Sequence, residues 1–244
     1  PCIPVKDVGM RFAGHEGGGR LARLNANTLL LSIGVHQFDG ITGPFQAGQD
    51  DANDLGKIIE ISLRDNSHRT YARGFRNPQG LLVASDGRVW ESEHGPRGGD
   101  EVNLIRRGAN YGWPIVTYGT EYGAIPWPFD PHPGQHIGFE RPRFSFVPSI
   151  GISGAVFYTG DRFSGWKGDM LVGGMRGQRL MRLRLKDRKV VGEEVLIQDM
   201  GRIRDVQQGP DGAVYVAIDA QVRGSDGEPT PVYRLVPVPR GTSH

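Results

Sequence analysis

A single cysteine, Cys2, in 244 residues excludes an internal disulfide and says little about redox compartment. No apolar run reaches membrane-spanning length, and no segment has the layout of a signal peptide. Helical stripes sustained over three or more turns are also missing, which argues against a helix bundle. Charge of either sign is nearly balanced: 29 Lys and Arg against 27 Asp and Glu leave a formal +2. That excludes a strong electrostatic case for nucleic acid. The chain opens on Pro1-Cys2-Ile3-Pro4 with no initiating Met, so the expectation is a processed, trimmed or excised part of a longer protein.

Glycine and proline are plentiful, at 37 and 17 residues, and with modest apolar content they predict many short strands joined by turns. Strand patterns fall at residues 20–24, 28–34, 57–63, 102–106, 152–158, 169–173, 180–185, 190–198, 204–208, 213–218 and 232–236. Residues 118–149, rich in proline and aromatics, predict a long excursion without regular strands. A weak internal repeat links Ala84-Ser85-Asp86-Gly87-Arg88-Val89-Trp90 to Gly209-Pro210-Asp211-Gly212-Ala213-Val214-Tyr215. The two turns lie about three propeller-blade lengths of roughly 40–45 residues apart, and Gly168 precedes Gly212 by about one. At four strands per blade the chain amounts to roughly four blades or a little more.

The stretch from Tyr71 to Pro114 organises the rest. Asp86-Gly87 closes a strand hairpin. Arg76 and Asn77 precede Pro78 at one end, and Gly95-Pro96 followed by Gly98-Gly99-Asp100-Glu101 stands at the other. Such a hairpin presents a cation, an amide, turn carbonyls and carboxylates at a sheet rim, where function commonly sits on a β scaffold.

Five motifs carry a family resemblance: GFRNPQGL; ESEHGPRGGDEVNLIRRGANYGWP; PSIGISGAVFY; GWKGDMLVGGMRG; and GRIRDVQQGPDGAVYVAID. Together the chain resembles the soluble PQQ-dependent sugar dehydrogenases, the glucose/sorbosone group that includes aldose sugar dehydrogenases, from about His15 to Ile218. The resemblance implies an all-β, six-bladed β-propeller carrying pyrroloquinoline quinone (PQQ) and Ca²⁺ on one face. Over residues 1–244 it implies one propeller domain lacking its N-terminal blade or blades.

It also implies site residues. Arg76 stands near the reacting quinone oxygen, with Asn77 and Gln79 beside the cofactor. Arg176, Arg202 and Arg204 anchor PQQ carboxylates. Arg202 and Arg204 are two apart on a strand, hence on one side of it, where a pair of guanidiniums can fork onto carboxylates. Taken alone, that spacing reads first as a solvated charged face. The main-chain carbonyls of Gly95 and Pro96 match the ligands of a catalytic Ca²⁺, an ion that takes oxygen donors. Glu101, the carbonyl of Tyr111 and Glu121 match a second, structural Ca²⁺ site. His15 matches the general base that takes a proton from the sugar hydroxyl, with His36 as the back-up.

The chain departs from the family pattern in two places. His15-Glu16-Gly17-Gly18-Gly19-Arg20-Leu21 has one residue more than the usual run. Gly14, Phe144 and Val147 stand where glucose-oxidising members carry other groups, so glucose preference is not implied. The expected activity is oxidation of an aldose to its lactone, with an unidentified electron acceptor, in the periplasm or outside the cell. No nucleic-acid partner and no membrane insertion are expected. Two alternatives stay open: a non-catalytic propeller binding module, and a calcium-dependent lactonase-like hydrolase.

Overall fold

The computed structural model describes residues 14–123, 125–219 and 230–238; Cys2 and the opening Pro1-Cys2-Ile3-Pro4 lie outside the described residues. Alternating short strands and tight turns build four antiparallel sheets, each a simple meander of the kind that forms propeller blades. The first holds β1 (Gly18–Asn25), β2 (Thr28–Ile33), β3 (Lys57–Ser62) and β4 (His68–Arg73). The second holds β5 (Pro78–Val83), β6 (Val89–Glu93), β7 (Asp100–Ile105) and β8 (Phe144–Phe146). In the third are β9 (Ile152–Phe157), β10 (Met170–Gly174), β11 (Arg179–Lys186) and β12 (Lys189–Gln198). The fourth has three described strands, β13 (Arg202–Gln208), β14 (Val214–Asp219) and β15 (Val232–Leu235). Among the described residues there is no α-helix, only a 3-10 turn at Ala47–Gln49.

The repeat seen in the sequence is physical. In both copies the Asp-Gly turn joins the first and second strands of a sheet. Gly87 N donates to Ala84 O and Ala84 N to Arg88 O; Gly212 N donates to Gly209 O and Gly209 N to Ala213 O in the same pattern. The aspartate accepts the amide two residues on in each case, Arg88 N at Asp86 and Ala213 N at Asp211. Gly87 and Gly212 adopt φ of +80° and +75°, a region that side-chain-bearing residues enter only with strain.

The chain forms two compact units, residues 1–149 and 150–244. The first centres on Leu30, Ile58, Tyr71, Phe75, Leu81 and Tyr111, with the Phe75 and Tyr111 rings stacked at 4.9 Å. Each side chain of this size adds about 1.5–3 kcal/mol by leaving water. The second unit centres on Tyr158, Leu171, Leu180, Ile203, Val214 and Ile218. Tyr158 is fully buried because its hydroxyl donates to Gly212 O and accepts from Phe163 N.

One expectation needs correcting. The proline-rich excursion contains a strand, β8, paired along β7. Its flanking prolines, Pro142 and Pro148, lie just outside the three paired residues, and at a sheet edge only one side must be bonded. The rest of residues 118–149 is irregular, as the prolines require.

Candidate functional site

Three chain segments meet at the start of β5, in the first unit. The main chain of Arg76 is fixed on both sides: its N–H donates to Glu93 Oε2 at 2.8 Å, and its carbonyl accepts from Val35 N at 2.9 Å. Its side chain turns into a partly open cavity of about 310 Å³, within the size range of small-molecule sites. Glu16, Gln37, Asp39, Pro96, Glu121 and Trp127 are among the cavity's walls.

The Arg76 guanidinium is nearly surrounded. Nη1 donates to the carbonyls of His94 and Gly95, each at 3.0 Å, and Nη2 pairs with Glu16 Oε1. The Tyr122 hydroxyl lies 3.5 Å from Nη2, and the guanidinium carbon sits 5.4 Å from the centre of the Trp113 ring. Nε is buried with no protein acceptor, an unmet donor on a residue of the cavity wall.

Glu16 was not anticipated as a site residue. Its backbone takes φ +56°, uncommon for a residue with a side chain and a recurrent mark of functional positions. Its carbonyl accepts from His36 N, its Oε2 accepts from Gln37 N at 3.2 Å, and its side chain is 10% exposed. Gly34 makes this approach possible: a Cβ there would stand 1.8 Å from Glu16 O. Burial pushes the Glu16 carboxyl above its ordinary range, and Asp39 adds to this; Arg76, the Gln37 amide and His15 pull the other way.

His15 itself is exposed and is not among the cavity-lining residues. Burial lowers the pKa of His36, against a backbone hydrogen bond to His15. Asn77 Oδ1 accepts from Gly18 N at 3.3 Å and from Gln79 Nε2 at 2.6 Å, so the two predicted amides form one unit with the glycine run.

The two sets of candidate metal donors differ. Gly95 is held by Asp100, whose Oδ1 accepts Gly95 N at 3.0 Å and the Ser149 hydroxyl at 2.6 Å. Its carbonyl, with that of His94, already faces a positive charge, the Arg76 Nη1, and Pro96 lines the same cavity. Carbonyls gathered on a cation are the donor set a hard metal ion takes, and each carbonyl oxygen has two lone pairs. Glu121 lines the cavity, whereas Glu101 is buried elsewhere in the unit, 3.4 Å from His136 Nε2 and bonded to Asn103. Tyr111 is buried, with its hydroxyl donating to Leu104 O. Among the described residues no three His, Cys, Asp or Glu side chains are gathered as a metal centre, so Glu101 and Glu121 are not brought together that way.

Behind Arg76 lies a buried acidic square, also unforeseen. Strand register sets Glu93 opposite Glu101 and Glu91 opposite Asn103. Asn103 Nδ2 donates to both Glu91 and Glu101, at 3.1 and 3.2 Å. Burial, then the neighbouring carboxylates, holds Glu91 and Glu93 well above the usual carboxylate range. A sequence signal existed in hindsight: Glu-Ser-Glu and Glu-Val-Asn place polar groups two apart on facing strands.

In the second unit, Arg202 and Arg204 do project from one side of β13, with Ile203 buried between them. Both reach toward Asp219: Arg204 Nη2 at 2.7 Å and Arg202 Nε at 3.9 Å. Met175 Sδ accepts from Arg204 Nη1 at 2.9 Å. Arg176 is exposed in the turn after β10.

The sequence profile of the glucose/sorbosone dehydrogenases matches residues 7–227, nearly the whole chain. The chain belongs to that family. It is 38% identical over 220 residues to the aldose sugar dehydrogenase YliI of Escherichia coli, covering 84% of this chain and 58% of that protein. A shorter stretch of 81 residues is 42% identical to quinoprotein glucose dehydrogenase B of Acinetobacter calcoaceticus, 28% of this chain and 17% of the other. A crystal structure of glucose dehydrogenase superposes with a TM-score of 0.74 at 36% identity, over 82% of this chain and 60% of the other. The chain thus spans a little over half the length of the curated relatives it matches. No helix among the described residues is long and apolar enough to cross a membrane.

Proposed function

We propose that the chain is the site-bearing part of a PQQ- and calcium-dependent dehydrogenase that oxidises an aldose to its lactone in the periplasm or outside the cell. The observation that carries this reading is Arg76. It is a buried guanidinium on the wall of a sugar-sized cavity, facing the carbonyls of His94 and Gly95 with one donor left over. Family membership and the likeness to an aldose sugar dehydrogenase supply the reaction class.

On this reading the carbonyls of Gly95 and Pro96 hold the catalytic Ca²⁺. In the first unit Arg76, Asn77 and Gln79 face the cofactor; in the second, Arg176, Arg202 and Arg204 are cations of the kind that fork onto carboxylates. A structural Ca²⁺ held jointly by Glu101, Tyr111 and Glu121 is not part of this reading, because Glu121 lines the cavity while Glu101 is buried against His136 and Asn103. Calcium-bound PQQ, when present, supplies a two-electron acceptor for hydride. Arg76 then stabilises negative charge growing on an acceptor oxygen, from a position already fixed by Glu93 and Val35. The cavity walls orient the sugar, and Trp127, held by its indole N–H on Pro114 O, offers an apolar surface to it.

Loading the protein with PQQ and Ca²⁺ and following dye reduction with a panel of aldoses tests this. Turnover that disappears on chelation is expected. Cofactor binding without turnover points to a non-catalytic relative, and lactone hydrolysis without dye reduction to a hydrolase.

A further inference from the structure

We infer that Glu16, rather than His15, is the proton acceptor of the Arg76 cavity, taking the hydroxyl proton of the sugar as its carbon is oxidised. The assignment rests on the dehydrogenase reading given above. Among the described residues of the segment that precedes β1, only Glu16 of the titratable side chains lines the cavity; His15, next to it, is exposed. Three independent contacts hold Glu16 in place: its carbonyl on His36 N, Oε2 on Gln37 N, and Oε1 on Arg76 Nη2. The backbone at Glu16 is left-handed, and Gly34 leaves the space for its main-chain carbonyl.

Charge balance favours the same residue. The sugar's O–H bond breaks and its proton moves to a Glu16 carboxylate oxygen. The C–H hydrogen leaves with its electron pair as hydride to a quinone, and the carbon closes to a carbonyl. As Glu16 becomes neutral, Arg76 loses its counter-charge at the moment negative charge appears on the acceptor oxygen. One proton transfer therefore makes the guanidinium a stronger electrostatic stabiliser in the transition state than in the ground state, which is what accelerates a step. The charged groups facing Glu16 are Arg76 and Asp39, with His15 beside it and Glu121 on the cavity wall. Burial against these keeps the carboxyl basic for its type.

The test uses the whole chain loaded with PQQ and Ca²⁺, with E16Q, E16D and H15A compared to the parent. A positioned general base contributes about 10²–10⁴-fold, so E16Q should lose at least about 100-fold in kcat while H15A stays within about twofold. E16D should recover part of the loss, and the acid limb of the pH profile should vanish in E16Q. A second readout needs no turnover. The ¹³C-carboxyl resonance of Glu16 in glutamate-labelled protein, assigned by its absence in E16D, should titrate and should shift when aldose is added. If H15A rather than E16Q abolishes turnover, the inference is overturned and the dehydrogenase reading stands. E16Q with a reduced kcat and an unchanged acid limb also overturns it, since that is the mark of a residue that merely holds Arg76. If the parent reduces no dye, the dehydrogenase reading falls and the proton-acceptor role of Glu16 falls with it, even where the Glu16 resonance shifts with aldose. A resonance indifferent to aldose removes Glu16 from the site.

Discussion

Arg76 and the pair Arg202–Arg204 present the same chemical group in opposite settings. Arg76 has a side chain only 6% exposed and is held by two carbonyls, a carboxylate and an aromatic face. Arg202 and Arg204 are nearly half exposed and share one carboxylate, Asp219. The first is a fixed charge whose desolvation has already been met by the fold, so it can act on a transition state without reorganising. The second is a solvated pair, able to change partners when an anion arrives, and its interaction with Asp219 is screened by water and salt.

The largest expected break of this contrast is R76A. Removing the guanidinium leaves the Glu16 carboxylate and two carbonyls buried without their cation, a loss of about 3–5 kcal/mol by the usual cost of halving a buried pair. Urea denaturation should show a lower midpoint, and dye-linked turnover should be lost. R204A, with a side chain 49% exposed, should lower the unfolding free energy by well under about 1 kcal/mol. Equal losses in the two variants would remove the distinction.

G34A probes the seat of Glu16 with Arg76 left intact. The new methyl would meet Glu16 O and, at 3.1 Å, Arg76 O, both main-chain atoms unable to swing aside. Overpacking of this kind costs about 1–3 kcal/mol. The segment before β1 should lift, and hydrogen exchange at the amides of Gly34 and His36, both bonded to that segment, should quicken. Unchanged protection at both amides would show that Glu16 is not fixed there.

Much of this was legible in the sequence, for a physical reason. Strands and Asp-Gly turns are local: alternation and a turn residue with positive φ lie within a few positions, so most elements and the repeat could be read directly, though not β4 or β8. Arg76, Asn77, Gly95 and Pro96 were singled out through family motifs. Glu16 could not be read, because which of two neighbours, His15 or Glu16, turns inward depends on one backbone angle and on the space beside Gly34, 18 residues on. The acidic square was hidden for a related reason. Carboxylates in a strand default to the solvent face, and β6 and β7 are buried on both.

That square gives a smaller effect, read through pH. The Glu91 carboxyl is raised in the fold from an ordinary 4.5, first by burial, then by Glu93. The fold therefore holds a proton that the unfolded chain releases. Its contribution to stability is complete below the unfolded value and drains away as pH rises through the folded one. E91Q cannot ionise, so with divalent cations chelated its stability should fall less steeply from mildly acid to alkaline pH than that of the parent. Parallel curves would mean that Glu91 is ionised in the fold after all.

The smallest effect on stability, and the sharpest on the comparison, belongs to D219N. Asp219 is the carboxylate that both exposed arginines reach, and it stands opposite Arg202 in the register of β13 and β14. Making it neutral should change the unfolding free energy by less than about 1 kcal/mol, the usual limit for an exposed pair. It should also free two guanidiniums two residues apart, a spacing able to fork onto a multivalent carboxylate. Citrate, used as a tricarboxylate probe, should then bind D219N more tightly than the parent at low ionic strength. The gain should shrink as salt rises toward about 0.15 M, where charges more than about 8 Å apart are screened. The same substitution should leave the Arg76 cavity untouched, because that guanidinium is neutralised by Glu16 and not by a solvent-exposed partner. A citrate affinity that is indifferent to Asp219 would mean that Arg202 and Arg204 do not act as an anion-binding pair, and only the buried arginine would then remain as an assigned charge.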